Sequence, residues 1–530
     1  MLNYPNILAV TILCRLFVTG AVKQLALNGN LCFQLVAASL PRVVQGSVMA
    51  STSKSNSAAV RARLSHPVID SDGHHVEYGP RIRDYIKDLA GPKIADRVGP
   101  AFDGTIASTR WYRESPEQRR EFRTKRSPFW GFPTKNTLDL ATSMFPKLMY
   151  ERLDEMGLDF CVLYPSLGLV SAHFEDEEVR HATCRALNRY CAEIWGEYRD
   201  RITPVATVPM NTPQEALEEL EYTVNVLGLK AVLMASYVKR PIPAVARQYP
   251  EASRYAFWLD TFGIDSEYDY DPVWAKCQEL KVVPSFHSHG EGWGSRTSIS
   301  NYVYNHVGHF ASSADAVCKS LFLGWVTRRF PQMKFSFLEG GVGWARSLLG
   351  DLMGHWEKRN RDALANYDRA NIDQELLAEL SRRYGGKVIE GREYVKGGEI
   401  ARIREGDPSD DFASCAITGK EDFRELFLKP FFFGCEADDP VTASAFDAVR
   451  NPLSARINAI YGSDIGHFDV PDMSEVTAEA YEPVEQGAMT EDDFRDFVFC
   501  NPVKLWTALN PDFFKGTAVE GAVSRYLAGG

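Results

Sequence analysis

LDFCVLY (158–164), EEVRHATCRALNRYCAEIWGEYRD (177–200), ITPVATV (202–208), TPQEALEELEYTVNVLG (212–228) and LKAVLM (229–234) follow one another along the chain and decide its fold. The three short runs are apolar, strand-like and too short for helices, whereas the two long ones carry apolar residues at helical spacing behind acidic or Thr-Pro starts. Strand, helix, strand, helix, strand is the pattern of βα units feeding a parallel sheet.

The same alternation extends in both directions. HPVID (66–70) precedes this stretch, and VVPSFH (282–287), KFSFLE (334–339), FFFGCE (431–436) and INAIYGSD (457–464) follow it. Eight strand candidates predict an α/β fold, a (β/α)8 TIM barrel occupying residues 66–530 with its active site at the C-terminal ends of the strands. Three connections exceed a plain βα loop and read as insertions: 76–150, 235–272 and 351–430. In the first, SPFWGFPTKN (127–136) places Phe129, Trp130 and Phe132 where they can fold over the barrel mouth. In the second, the acidic and aromatic FWLDTFGIDSEYDYDP (257–272) suits a lid or a subunit contact.

Residues 1–65 read as a separate N-terminal extension. Residues 6–20 are apolar, but they are interrupted by Arg15 and too short to span a bilayer. Three readings stay open: an upstream start with Met49 as the true initiator, an organellar transit peptide, or an anchor. The net charge of −11 becomes −17 once the six cations of the acid-free residues 1–69 are removed. An acidic body argues against a nucleic-acid or anionic-membrane surface, and no membrane span is expected in it. The ten scattered cysteines form no CxxC pair and read as mostly buried thiols, consistent with a cytoplasmic protein.

Chemistry-bearing residues gather at the strand ends. Asp70, Asp72 and His74 alternate onto one side after strand one, with His75 pointing away. His287 ends strand five and Asp464 ends strand eight. Three strands thus deliver nitrogen and oxygen donors to one rim, a mixed set that Zn²⁺ or Mn²⁺ accepts. His467 reads as a residue that orients a ligand, His289 and His306 as loop or lining histidines, and His181 and His355 as structural ones. Asp438 and Asp439 read as rim hydrogen-bonders. Gly340–Gly343 lacks the features of a nucleotide loop and reads as a tight turn.

The motifs VIDSDGH, MGLDFCVLYPS, LGLKAVLM, FHSHG, FPQMKFSFLEGGVGW, YGSDIGH and FCNPVKLW, in this order over residues 66–515, resemble those of the amidohydrolase-related family. The likeness is to the branch that includes aminocarboxymuconate-semialdehyde decarboxylase and the resorcylate-type decarboxylases. The resemblance implies one divalent ion, Zn or Mn, on Asp72, His74, His287 and Asp464, no further cofactor, a small-molecule substrate and a homodimer. Relatives often carry a histidine after strand six, where this chain has Glu339, so Glu339 or His309 is expected to take over its polarising or acid/base role. Lys230 precedes AVLM instead of ending the fourth strand, so the carbamylated-lysine bridge of binuclear relatives is not expected.

Two reactions fit these residues. One is hydrolysis of an amide, ester or lactone by a metal-activated water, with Asp464 as proton acceptor. The other is non-oxidative decarboxylation of an aromatic or unsaturated acid, with Asp464 as proton donor to carbon. Hydrolysis is the broader class and is preferred. A catalytically dead binding barrel would have broken ligands, and all four positions keep donor side chains.

Overall fold

All eight apolar runs become strands in the computed structural model, which describes residues 55–98, 110–127, 136–289, 296–368, 371–390 and 410–529. They are β1 (Ile69–His75), β2 (Phe160–Pro165), the short pair β3 (Ile202–Pro204) and β4 (Ala206–Val208), β5 (Val232–Ala235), β8 (Pro284–His287), β9 (Phe335–Phe337), β10 (Phe431–Glu436) and β11 (Ala459–Gly462). The hairpin β6 (Val238–Pro241) and β7 (Phe257–Asp260) stands outside this series. The strands pair in parallel as β1-β2-β3 and as β4-β5-β8-β9-β10-β11.

The run 202–208 joins the two sheets by changing partners midway. Val205 N–H still donates to Leu163 O of β2 at 3.0 Å, whereas the next N–H, that of Ala206, donates to Ala231 O beside β5 at 3.0 Å. Pro204, which has no N–H to give, sits at the break. The other seam is closed by two bonds, Asp464 N–H to Asp72 O at 2.9 Å and His74 N–H to Ile465 O at 2.7 Å. The sheet is therefore a closed (β/α)8 barrel without free edges.

Helices pack around it as the periodicity predicts. Glu177–Ile194 is capped by Asp176, whose carboxylate accepts from Val179 N–H at 3.1 Å, and Pro213–Glu221 by Thr212, which accepts from Glu215 N–H at 3.2 Å. Strand phenylalanines fill the layer between β8–β10 and the helices: Phe337 stacks on Phe286 and on Phe433 at centroid distances of 5.7 and 5.9 Å, and Trp344 of helix Gly343–Arg359 packs edge-on against Phe337 and Phe433.

Residues 54–530 form one compact unit, which includes the last residues of the expected N-terminal extension 1–65. Helix Asn56–Arg63 is docked on the body: Ser57 Oγ accepts from Thr477 and Ala478 N–H at 3.0 and 3.1 Å, and Arg61 pairs with Asp159. These partners are far away in sequence, which is why local reading left the helix in the extension.

Of the aromatic segment 127–136, residues 128–135, and with them Phe129, Trp130 and Phe132, lie outside the described residues. The stretch 257–272 supplies β7 and the buried Tyr270. The eight described cysteines are buried and form no disulfide. No helix among the described residues is long and apolar enough to cross a membrane.

Candidate metal centre

Donor side chains converge at the C-terminal rim of the barrel. β1 carries a register irregularity between Asp70 and Gly73, after which Asp72 and His74 are both buried and turned inward. His75 goes to the opposite side, against Trp195 and Tyr190. At the end of β8, His287 Nδ1 bonds to Ser288 O at 2.7 Å, which fixes the proton on Nδ1 and leaves the Nε2 lone pair to face the rim.

Glu339 and Asp464, just past β9 and β11, have left-handed backbones with φ of 54° and 52°. Each such non-glycine conformation costs about 1–2 kcal/mol, and here each turns a carboxylate into the same buried space.

The resulting distances are those of a ligand cluster. His74 Nε2 lies 3.3 Å from Asp72 Oδ1, 3.2 Å from Glu339 Oε1 and 3.6 Å from Asp464 Oδ1. His287 Nε2 lies 3.0 Å from the same Glu339 oxygen, and His467 Nδ1 lies 3.3 Å from it and 2.5 Å from Asp464 Oδ1. Asp72 Oδ1, His74 Nε2, His287 Nε2, Glu339 Oε1 and Asp464 Oδ1 are buried atoms without a hydrogen-bond partner. Burying so many unsatisfied polar atoms is costly unless a cation collects them, so the donor set fits a divalent metal.

The donors form two overlapping groups, Asp72, His74, His287 and Glu339 in one, and His74, Glu339, Asp464 and His467 in the other, with all donor atoms of a group within 4.8 Å of one another. Of the residues expected as ligands, Asp72, His74 and His287 thus share a group with Glu339, and Asp464 falls in the second. His309 is buried at the start of helix His309–Leu323, its ring 5.9 Å from that of His289, and belongs to neither. Lys230 lies at the far end of its strand and donates to Phe513 O.

The electrostatics of the cluster are dominated by carboxylates. Burial raises the pKa of Asp464 well above the ordinary value, reinforced by Glu339, Asp469 and Glu436. For Glu339 burial acts the same way, but His287, His467 and His74 overcome it and hold the group well below its ordinary value. Burial disfavours the charged form of His287, yet Glu339 and Asp72 outweigh it and raise its pKa.

Sequence reading missed two neighbours. Tyr164, on β2, packs 5.8 Å from the His74 ring. Glu436 ends β10, and its pKa is pushed well above the ordinary value by burial and then by Glu339, Asp469, Asp438 and Asp72. The signal for Glu436 was available, since FFFGCE ends in a carboxylate at the same rim as Asp464. Nothing in the sequence singled out Tyr164 from other strand aromatics.

A cavity of about 330 Å³ is lined by Glu339 and Glu436 of the cluster together with Asp438 and Asp439, and another of about 290 Å³ by residues that include His173, Asn211, Lys239, Arg254, Phe257 and His289, two positions after His287. Burial lowers the pKa of His173 to about 3 and that of His289 well below its ordinary value, which favours the neutral form of both rings.

Among solved structures, the chain is similar to an amidohydrolase from Mycobacterium avium subsp. paratuberculosis K-10, with 18% identity, a TM-score of 0.48 and coverage of 84% of this chain and 100% of that one. It is also similar to a dihydroxybenzoic acid decarboxylase from Polaromonas sp. JS666 with bound manganese and 2-nitroresorcinol (13%, TM-score 0.45, 85% and 99%). A third is a 5-carboxyvanillate decarboxylase from Novosphingobium aromaticivorans DSM 12444, also with manganese (13%, TM-score 0.42, 84% and 97%). A sequence model of the amidohydrolase family matches residues 147–506, about two thirds of the chain. That span holds His287, Glu339, Asp464 and His467, while Asp72 and His74 reach the cluster from β1, ahead of it. The chain belongs to the amidohydrolase family.

Proposed function

We propose that the protein is a metal-dependent hydrolase acting on an amide, ester or lactone of a small organic molecule. The observation that carries this reading is Glu339, a buried carboxylate with an unpartnered oxygen, set within 3.0–3.3 Å of three imidazole nitrogens. Glu339 is thereby a charged donor for a cation, and Asp464 beside it is the proton acceptor that hydrolysis needs to take a proton from water and deliver it to the leaving group.

Asp72, His74, His287, Glu339 and Asp464 would hold Zn²⁺ or Mn²⁺. Such an ion supplies Lewis acidity, polarising a carbonyl and lowering the pKa of water toward ~7. Asp464 accepts the proton of the attacking water and passes it on to the departing nitrogen or oxygen. Glu339 keeps His74 and His287 aligned.

The cavity lined by Lys239 and Arg254 suits an anionic group on the remainder of the substrate. The same cavity is what favours decarboxylation as the second reading, with Asp464 donating its proton to the carbon that loses CO₂.

A panel of amides, esters, lactones and aryl carboxylic acids, assayed with Zn²⁺- and Mn²⁺-loaded protein, separates the two. Hydrolysis that falls by about 10²–10⁴ in kcat in Asp464→Asn supports the first reading. CO₂ release as the only activity overturns it.

A further inference from the structure

We propose that the substrate carries opposite charges on the two sides of the bond that is cleaved: an anionic group held in the cavity of Lys239 and Arg254, and a primary ammonium held in the cavity of Glu436, Asp438 and Asp439. Amides derived from amino acids, free dipeptides among them, have this pattern. The proposal rests on the hydrolytic reading above and deepens it by naming the substrate class.

Placement is the first argument. His173, Asn211, Lys239 and His289 of the first cavity follow β2, β4, β5 and β8, whereas the residues lining the second follow β9 and β10. β8 and β9 are neighbours in the barrel, and the two sectors meet where His287 Nε2 lies 3.0 Å from Glu339 Oε1. His289 stands two positions beyond that histidine, and Glu339 itself lines the second cavity. A molecule crossing the cluster from one sector to the other therefore reaches both cavities.

Their linings are opposite in chemistry. In the first, Lys239 and Arg254 are exposed and outnumber Glu175, and His173 has a buried Nε2 without a hydrogen-bond partner. A guanidinium, an ammonium and an imidazole N–H are donors for a carboxylate. The second is lined by Glu339, Glu436, Asp438 and Asp439 and by no Lys or Arg. There the largely buried Glu436 side chain forms no hydrogen bond or ion pair among the described residues. Asp439 Oδ2 is likewise buried without a partner. Gly341, where a Cβ would lie 2.5 Å from that oxygen, brings the loop after β9 against it without a side chain. Unpartnered carboxyl oxygens in a cavity call for a donor-rich group, and an ammonium brings three N–H bonds and the matching charge.

The acids are held against one another with no cation to relieve them. Burial, then Glu339, Asp469 and Asp438, pushes Glu436 well above the ordinary carboxylate range, and burial followed by Asp438 raises Asp439 against the bond from Val441 N–H. An ammonium set among them favours the ionised form of each.

The test uses dipeptides of alanine, β-alanine and phenylalanine with the Zn²⁺-loaded full chain. Each is supplied as the free zwitterion, as the N-acetyl derivative and as the C-terminal amide, and product amine is measured by chromatography. For the best dipeptide, kcat/KM of the free form is expected to exceed that of each blocked form by about 10–100-fold, the worth of one charged hydrogen-bonded contact. Asp439→Asn should narrow the gap to the N-acetyl form alone, and Arg254→Glu the gap to the C-terminal amide alone, each chiefly through KM. Cleavage of amides, esters or lactones with no preference for either charge overturns the proposal and leaves the hydrolytic reading standing. Cleavage of none, with CO₂ release from aryl acids, overturns both. A preference that neither variant changes, or that both change at the same end, overturns the assignment of the cavities. The comparison of free and blocked forms on the wild type decides the substrate class even if a variant does not fold.

Discussion

Asp70 on β1 holds Ser463 beyond β11: its carboxylate accepts from the Ser463 backbone N–H at 3.0 Å and from the Ser463 hydroxyl at 2.6 Å. It also accepts from Asp72 N–H at 3.0 Å, so one buried acid fixes the residue before Asp464 and the backbone of Asp72 together. Asp70 thus positions donors from two strands without being one of them.

Asp70→Asn keeps the size but exchanges an acceptor for an NH₂ facing the Ser463 donors. Metal affinity is expected to drop about 10–100-fold, the range for groups that orient ligands. Competition with a chromophoric chelator measures it. Unchanged affinity in a folded variant would show that Asp464 is held by other means.

Gly466 has φ of 96°, and a Cβ there would lie 2.3 Å from His74 O. The contact is with backbone, which cannot rotate away, and the conformation itself excludes most side chains. Gly466→Ala is expected to cost ~3 kcal/mol or more and to displace His74. Thermal unfolding and metal content should fall together; a drop in melting temperature with full metal binding would place the strain elsewhere.

These residues show what sequence carries and what it does not. Each strand was readable because its apolar run is local, and the rim position of Asp72, His74, His287 and Asp464 followed from where the runs end. The role of Glu339 depended on a positive φ and on distances to histidines 52 and 265 positions earlier in the chain, neither of which has a local signature. Helix Asn56–Arg63 was missed for the same reason, as its partners Asp159 and Thr477 are distant in sequence. His309 was legible as a histidine near the rim, but its direction depends on how helix His309–Leu323 packs.

Arg240 ties the β6–β7 hairpin to the body. Its guanidinium pairs with Asp260 at 2.9 Å, donates to Asn211 O at 2.5 Å and to Tyr270 Oη at 2.9 Å, and is largely buried. Arg240→Met leaves Asp260 a buried, unpaired charge, at about 3–5 kcal/mol. Because Val238, Lys239, Pro241 and Phe257 of this hairpin line the cavity, KM is expected to rise more than kcat falls. Steady-state kinetics on the active substrate check this, and an unchanged KM would separate the hairpin from substrate binding.

Lys230 gives a pH dependence whose sign can be worked out. Burial, then Arg199, lowers its pKa from 10.5 to about 8. Below pH 8 the lysine is charged in both folded and unfolded chains, and the folded state carries the full cost of burying the charge, up to ~3 kcal/mol. Between pH 8 and 10.5 the folded protein has released the proton and the unfolded chain has not, so this residue's contribution to stability rises with pH. The ammonium is not without compensation, since it donates to Phe513 O and lies 4.6 Å from the Phe513 ring. Lys230→Met removes both the cost and the bond, so the difference at pH 7 is small, but the upward slope belongs to the wild type alone. Urea unfolding at pH 7, 8, 9 and 10 on both proteins should show wild type gaining on the variant across this window. Parallel curves would mean that Lys230 reaches solvent and keeps its ordinary pKa in the folded protein.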